Sequence, residues 1–155
     1  MDGSGANARF MFISSIVVDQ KNNIYVLDTG AIRKISPTGE VKTIESLGPR
    51  SLDSKGPKNS TRNCTASSLT IDRSDNLYVG SYGAIRKIDT SGKVDALVDF
   101  NVDCNIKNSD AGIVDLPRAM KVDSEGNVYG FGNHGIFKVS PKGETSVILE
   151  RAILH

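Results

Sequence analysis

The chain has 155 residues, of which 24% are charged, and its formal net charge is +1. This length is enough for one domain with a full hydrophobic core. The near-neutral charge excludes a protein that binds nucleic acid by electrostatic attraction, and no apolar run approaches the ~20 residues that would span a bilayer. The first residues carry no signal-peptide pattern, so we expect that an exported form has already lost its signal.

In chain order, residues 2–12 begin with glycines and continue with apolar side chains, which is typical of a loop that leads into a strand. Residues 16–18 form the first predicted strand, and residues 24–27 form a second, which is β-branched and aromatic. Residues 31–36 and 41–44 form the third and fourth, and the Pro-Thr-Gly sequence between them favours a hairpin turn. The sequence therefore predicts a four-stranded antiparallel meander.

The same order of strands and turns occurs three times. Asp19, Asp72 and Asp123 each precede a turn, and in each copy a tyrosine follows after 6 residues and a turn glycine after 20. Aspartate before a turn usually accepts hydrogen bonds from the N–H groups of that turn, and we expect this here. The copies start 53 and 51 residues apart, whereas about 40–45 residues suffice for a four-stranded blade. The predicted blades are 10–46, 66–99 and 117–150, separated by long loops over 47–65 and 100–116.

The pattern Asp-x-x-x-Asn-x-Tyr-Val, followed by Ile-Arg-Lys-Ile and a turn glycine, resembles the NHL repeat. The first residues, Asp2-Gly3-x-Gly5-x-x-Ala8-x-Phe10, are similar to the segment that precedes an NHL blade. This resemblance implies an all-β fold, a β-propeller of four-stranded antiparallel blades with three blades in one domain over residues 1–155. Known NHL propellers bind partners, but the resemblance does not identify a ligand, because function is grafted onto folds.

The third copy departs from the other two at two positions. Phe137 stands where the first two copies have Arg33 and Arg86, and His134 replaces a turn glycine. Histidine in such a turn could act as a ligand or a general base. The sequence offers it no partner in a recognisable catalytic motif, so a solvated turn histidine is favoured and no catalytic residue is predicted.

Three blades do not close a propeller, because closed rings usually have 4–8. Two apolar blade faces are left open, and exposed faces of this kind mark an interface. Either the chain is a segment of a longer protein that carries further blades, or two copies pair about a two-fold axis into a six-bladed ring. No spare strand is expected that could close the ring by sharing a blade.

The contact surface for a partner is expected on the long loops and on the turns between the second and third strands. The tyrosines at the repeat position of Tyr25 are expected to pack in the core rather than to form a ligand row. The arginines and their neighbouring lysines could form a basic ring, but repeat-related charges more often pair with the repeat-related aspartates. The candidate binding residues are Asp28, Thr29, Ser81, Tyr82, Asn133, His134, Arg33 and Arg86.

One loop carries oxygen ligands at the spacing of a calcium-binding loop. Asp99, Asn101, Asp103 and Asp110 occupy its first, third, fifth and twelfth positions. Cys104 stands where the sharp turn of such a loop needs glycine, and flanking helices are not predicted. A polar loop is therefore the favoured interpretation, and no cofactor is predicted, with Ca²⁺ as the open alternative.

Other features bear on the cellular setting. Cys64 and Cys104 are either one disulfide or two unrelated thiols. Asn59 and Asn63 each begin an N-glycosylation triplet in a loop where an acceptor would be exposed. These features favour a secreted or periplasmic protein over a cytoplasmic one.

The leading hypothesis is a non-enzymatic binding or scaffold module that contacts another protein. The alternative is a propeller hydrolase or lyase whose metal site is completed by a second copy or by further blades. A purely architectural role, in which the open blade faces drive assembly, is a third possibility.

Overall fold

The structure of the protein is a computed structural model that describes residues 1–46, 66–100 and 117–150. Within these ranges the secondary structure is β-strand apart from one short 3-10 turn, Gly5–Asn7, which confirms the all-β fold class. In chain order the strands are β1 Gly3–Ser4, β2 Ile13–Val18, β3 Ile24–Asp28, β4 Ala31–Ile35, β5 Glu40–Ser46, β6 Ser68–Ile71, β7 Leu77–Ser81, β8 Ala84–Ile88, β9 Val94–Asp99, β10 Ala119–Val122, β11 Val128–Gly132, β12 Gly135–Val139 and β13 Thr145–Glu150.

The strands form three antiparallel sheets, one for each copy of the repeat. Strands β2 to β5 form blade 1, β6 to β9 form blade 2, and β10 to β13 form blade 3, each with sequential neighbours paired. Strand β6 lies beside both β2 and β10, so the blades stand side by side around their first strands. The described sheets do not close into a ring, and the architecture is that of a partial propeller.

The turn between the first two strands of each blade is organised by one aspartate. The Asp19 carboxylate accepts hydrogen bonds from the backbone N–H groups of Lys21 at 2.9 Å and Asn23 at 2.8 Å, and from the Asn23 side-chain amide at 2.7 Å. Asp72 and Asp123 accept the equivalent three bonds in their own blades. The expected role of the repeated aspartates is therefore confirmed.

Each blade covers its neighbours with the two faces of its sheet. We call the face toward the preceding blade the N-side face and the face toward the following blade the C-side face. The C-side face of blade 1 packs on the N-side face of blade 2 through Val17, Tyr25, Leu27, Ile32, Ala66, Leu69, Leu77, Val79 and Ile88. The C-side face of blade 2 packs on the N-side face of blade 3 through Tyr78, Ile85, Met120, Val128, Phe137 and Val139.

The first twelve residues, which we call the leader, differ from expectation. Strand β1 pairs antiparallel with the outer edge of blade 1, with Gly3 opposite Val41 and Ser4 opposite Glu40. The sequence predicted a loop that leads into a strand over residues 2–12; the structure adds the short strand β1 and the 3-10 turn, and residues 8–12 then lead into β2. Strand β1 pairs within blade 1 itself, so the expectation that no spare strand closes the ring by sharing a blade stays a prediction. A two-residue strand is too short to show alternation in the sequence, and its position depends on contacts with distant residues.

No helix in the described part of the chain is long and apolar enough to cross a membrane.

Candidate functional site

The turns between the second and third strands lie at one end of the three blades. Each is closed by a paired position, such as Asp28 opposite Ala31 in blade 1. Of the candidate residues in these turns, Thr29, Asn133 and His134 are exposed and Tyr82 is half-buried. Asn133 accepts a hydrogen bond from the Arg118 guanidinium at 3.2 Å.

Two of the candidate turn residues are buried rather than presented to solvent. Ser81 is 4% exposed and Asp28 is 7% exposed. The Asp28 carboxylate accepts the backbone N–H groups of Met11 and Phe12, both at 2.9 Å, and therefore anchors the leader to blade 1. Burial opposes ionisation of Asp28, but these two N–H groups and the Arg33 guanidinium outweigh it and lower its pKa.

Arg33 lies on strand β4, directly after the turn that follows Asp28, and joins the leader to blade 1. Its guanidinium pairs with Asp28 at 3.1 Å and with Asp2 at 3.2 Å, although only 3% of its side chain is exposed. It also donates to the backbone carbonyls of Met1 and Arg9. The Phe10 ring lies 4.4 Å from the guanidinium carbon, at cation–π distance.

Arg86, the counterpart of Arg33 in blade 2, is also buried. It pairs with Asp99 at 2.8 Å, and within the described residues its Nη1 atom has no hydrogen-bond partner. Neither arginine pairs with Asp19, Asp72 or Asp123, so the expected pairing with the repeated aspartates was wrong. A long side chain reaches partners on other strands that the repeat spacing does not reveal.

The lysines that follow the arginines lie over tyrosine rings of their own blades. The Lys34 ammonium is 5.5 Å from the centre of the Tyr25 ring, and the equivalent pairs of blades 2 and 3 are at 5.6 Å. The hydroxyls of Tyr25 and Tyr78 donate to Asp19 and Asp72, both at 3.1 Å. Burial and the neighbouring carboxylate raise the pKa of each of these two phenols to about 12. This cluster of Asp, Asn, Tyr and Lys is a structural part of each blade.

The junction of blades 1 and 2 is more open at its outer edge than that of blades 2 and 3. A Cβ atom on Gly143, in a turn of blade 3, would lie 2.4 Å from the Leu97 carbonyl of blade 2. At the equivalent Gly92 of blade 2 nothing lies within 4 Å. The space between blades 1 and 2 at this edge is a cleft of about 350 Å³, and Ile44, Glu45 and Asp75 are among the residues that line it.

The outermost blade faces expose apolar side chains whose counterparts are buried elsewhere. Ile136 on the C-side face of blade 3 is 39% exposed, whereas the equivalent Ile32 and Ile85 are fully buried. Ile16 on the N-side face of blade 1 is 62% exposed, whereas the equivalent Leu69 is 4% exposed. The open faces predicted from the count of blades are therefore present at both ends of the described structure.

Several predicted sites lie outside the described residues. Of the four calcium-loop residues only Asp99 is described, and its carboxylate forms an ion pair with Arg86. Among residues 1–46, 66–100 and 117–150, no group of three or more His, Cys, Asp or Glu side chains is placed to hold a metal ion. The predictions outside these ranges concern Cys64, Cys104, Asn59, Asn63, Asn101, Asp103 and Asp110.

The contribution of the leader could not be found from the sequence. Asp2 and Phe10 were recognised only as parts of a family-like segment, and their distance from Arg33 along the chain gives no signal of contact. Asp2 also accepts the backbone N–H of Thr43 at 2.9 Å and its hydroxyl at 2.8 Å. Together these contacts make the leader part of blade 1.

No family model and no curated protein sequence matches the chain. Several solved structures are similar to the chain in fold. Virginiamycin B lyase from Staphylococcus aureus aligns with a TM-score of 0.61 at 14% identity, over 94% of this chain and 43% of the lyase. The extracellular domain of BT4673 from B. thetaiotaomicron aligns with a TM-score of 0.59 at 19% identity, over 90% of this chain and 16% of that one.

A gluconolactonase-like protein aligns with a TM-score of 0.58 at 12% identity, over 92% of this chain and 49% of its own. These similar structures are propeller-type proteins, so the comparison establishes a propeller-type fold for this chain. The chain spans less than half the length of each of the three.

Proposed function

We propose that this chain is an NHL-type propeller module without a catalytic role, which acts as a scaffold by docking polypeptide on its open blade faces. The single observation that carries the proposal is the exposure of Ile136, 39%, beside full burial of the same residue type at Ile32 and Ile85. Of three isoleucines at one repeat position, the two that a following blade covers are buried and the third is not. A monomer rarely leaves such an apolar face uncovered, because burying it is favourable.

The end of the blades that carries the second turns is the proposed contact surface for a further protein partner. Thr29, Asn133 and His134 are exposed there on short turns between rigid strands. Binding residues are often placed on loops that a rigid scaffold holds in position. The candidate residues Tyr82, Asp28 and Ser81, with Arg33 and Arg86 beneath them, would support this surface rather than form most of it.

We further propose an extracytoplasmic setting. The glycosylation triplets at Asn59 and Asn63 support it, and so does the likeness to the extracellular domain of BT4673. No cofactor belongs to the proposal. Element analysis of the purified protein tests this, because bound Ca²⁺ or Zn²⁺, together with turnover that is lost in His134→Ala, would contradict it. That result would favour a propeller hydrolase or lyase.

The docking proposal is tested with Ile136→Asp and a matched control, Thr90→Asp. Both variants add one carboxylate, but Thr90 lies in an exposed turn away from the open faces. Light scattering should give the wild type and the control a mass above that of one chain, or an apolar fluorescent dye should bind them strongly. Ile136→Asp should lower whichever signal is present, with an unchanged circular dichroism spectrum. A monomeric wild type whose dye fluorescence is the same in both variants would contradict the proposal.

A further inference from the structure

We infer that the polypeptide that covers the open faces is a second copy of this chain. The C-side face of blade 3 in one copy would pack on the N-side face of blade 1 in the other, and the two copies would form a six-bladed ring about a two-fold axis. This inference rests on the proposed docking function and names the docked partner.

The first argument is that the chain already builds the same contact twice. Between blades 1 and 2, and again between blades 2 and 3, a C-side face meets an N-side face. The two faces that remain open are one of each kind. They are one C-side half and one N-side half, as in the two contacts already built, although the leader covers the Arg33 position of the N-side half.

The second argument is the N-side face of blade 1. Its first strand β2 exposes Ile16 at 62% and Val18 at 51%. The repeat places Leu69 and Met120 at the position of Ile16, and each of them is only 4% exposed because the preceding blade covers it. The position of Ile16 is thus one that this fold buries whenever a preceding blade is present.

The third argument is the C-side face of blade 3. Phe131 and Ile136 face each other across β11 and β12, and they are 47% and 39% exposed. The equivalent pair in blade 1 is Leu27 and Ile32, which face each other in the same register and are fully buried against blade 2. At the junction of blades 2 and 3 the equivalent pair is Gly80 and Ile85, so the isoleucine is the member that both interior junctions bury, and Phe131 matches only Leu27 of blade 1.

The fourth argument is the number of blades. A face that meets an unlike face makes a heterologous contact, which gives a closed ring or an open-ended fibre according to the rotation per contact. Three blades align with 43% of the lyase and 49% of the gluconolactonase-like protein. Two copies therefore supply about the length of one complete single-chain propeller, and the ring of six blades falls within the usual 4–8.

The leader limits where the second copy can touch blade 1. It is held on the N-side face through Arg33, on the third strand, and through Asp28. The inner strand β2 stays open, and Met11 and Phe12 of the leader are exposed beside it at 86% and 70%. The contact is thus expected along the first strands and the leader end, rather than over the outer edge of the blade.

The experiment uses two variants that each damage one half of the contact, Ile16→Asp and Ile136→Asp. The wild type should have twice the 16.6 kDa mass of one chain in light scattering. Each variant alone carries damage in both contacts of the ring, so its dimer should dissociate about 100-fold more readily, because burying an unpaired carboxylate is costly. Thr90→Asp should remain a dimer like the wild type.

The decisive step is an equimolar mixture of the two variants. A ring of one Ile16→Asp chain and one Ile136→Asp chain has both substitutions in a single contact and leaves the other contact intact. The mixture should therefore regain a mass of two chains, at an affinity between that of the variants and the wild type. A mixture that stays monomeric, or a variant whose dimer alone is as tight as that of the wild type, overturns the inference, since the latter result indicates a contact between like faces.

Failure of the second-copy inference differs from failure of the docking function. A wild type that assembles without limit, or a monomer whose dye binding is lost in Ile136→Asp, overturns the two-copy ring and keeps the docking function. In the monomer case, blades other than those of a second copy are the occupant. A monomeric wild type whose dye binding is unchanged by Ile136→Asp overturns both the two-copy ring and the docking function.

Discussion

Blades 1 and 3 fill one equivalent interior position in opposite ways. In blade 1 the buried Arg33 lies opposite Val26 and pairs with carboxylates that include one from the leader. In blade 3 Phe137 lies opposite Gly130, and a Cβ atom on that glycine would come within 2.4 Å of the Phe137 ring. The repeat specifies the strand ladder, whereas the side chain at this position is matched to its neighbour across the ladder.

Blade 2 shows a third solution at the same position. Arg86 lies opposite Val79, as in blade 1, but its carboxylate partner is Asp99 at the end of the fourth strand. The repeat therefore does not determine which carboxylate pairs with the arginine. An ion pair at this position therefore serves the contacts of the individual blade, and in blade 3 an aromatic ring takes its place although Glu150 stands at the ladder position of Asp99.

The largest expected effect is that of Arg33→Ala. It leaves the Asp28 carboxylate buried without its cation and removes the anchor of the leader, so we expect a loss of about 3–5 kcal/mol in the free energy of unfolding. Urea denaturation measures the loss, and hydrogen exchange of residues 1–12 measures the release of the leader. Arg86→Ala is the matched control and should cost less, because Asp99 is about one-third exposed and can be hydrated. Equal losses would show that the leader adds nothing to the role of Arg33.

The next effect tests the pair in blade 3. Gly130→Ala places a methyl group against the Phe137 ring and should lower the free energy of unfolding by about 1–3 kcal/mol. In a Phe137→Ala background the same substitution should cost little, because the ring is gone. A double-mutant cycle by thermal denaturation measures this coupling. Additive losses would mean that the two positions are not matched to each other.

The repeat spacing made the strands, their order and the turn aspartates predictable, because those features depend on local sequence. The position of Asp19, with a tyrosine 6 residues later, predicted a turn that the structure confirms. The contacts of Arg33 were not predictable, since they join the leader to a strand more than 20 residues away. Open faces were predictable from three blades alone, but only the structure shows that Ile16 and Ile136 lie on them.

A smaller effect separates the buried tyrosine of blade 2 from its half-buried counterpart in blade 3. Tyr78→Phe removes the hydroxyl that donates to Asp72 and should cost about 0.5–1.5 kcal/mol of unfolding free energy. Tyr129→Phe should cost less, because Tyr129 is half-buried and water can replace its hydrogen bond to Asp123. Urea denaturation of both variants checks the order. A larger loss for Tyr129→Phe would mean that burial does not set the strength of this hydrogen bond.

The last effect is the response of the same clusters to pH. Tyr25 and Tyr78 have folded pKa values of about 12, above the value of about 10 expected for an unfolded chain. The folded form therefore keeps protons that the unfolded form loses, and stability should fall as the pH rises from about 10 to 12. Ultraviolet titration should show that Tyr25 and Tyr78 ionise late, and ionisation of both near pH 10 would contradict the prediction.

At the acid end the sign is reversed. The pKa of Asp72 is lowered in the folded form, because hydrogen bonds from Asn76, Ser74 and Tyr78 outweigh the opposing effect of burial. The folded form resists protonation at this carboxylate, so its contribution to stability is present above the unfolded pKa of about 4 and is lost as the pH falls further. Asp72→Asn should flatten the acid limb of a plot of unfolding free energy against pH and leave the alkaline limb of Tyr25 in place. An unchanged acid limb would mean that other carboxylates set it.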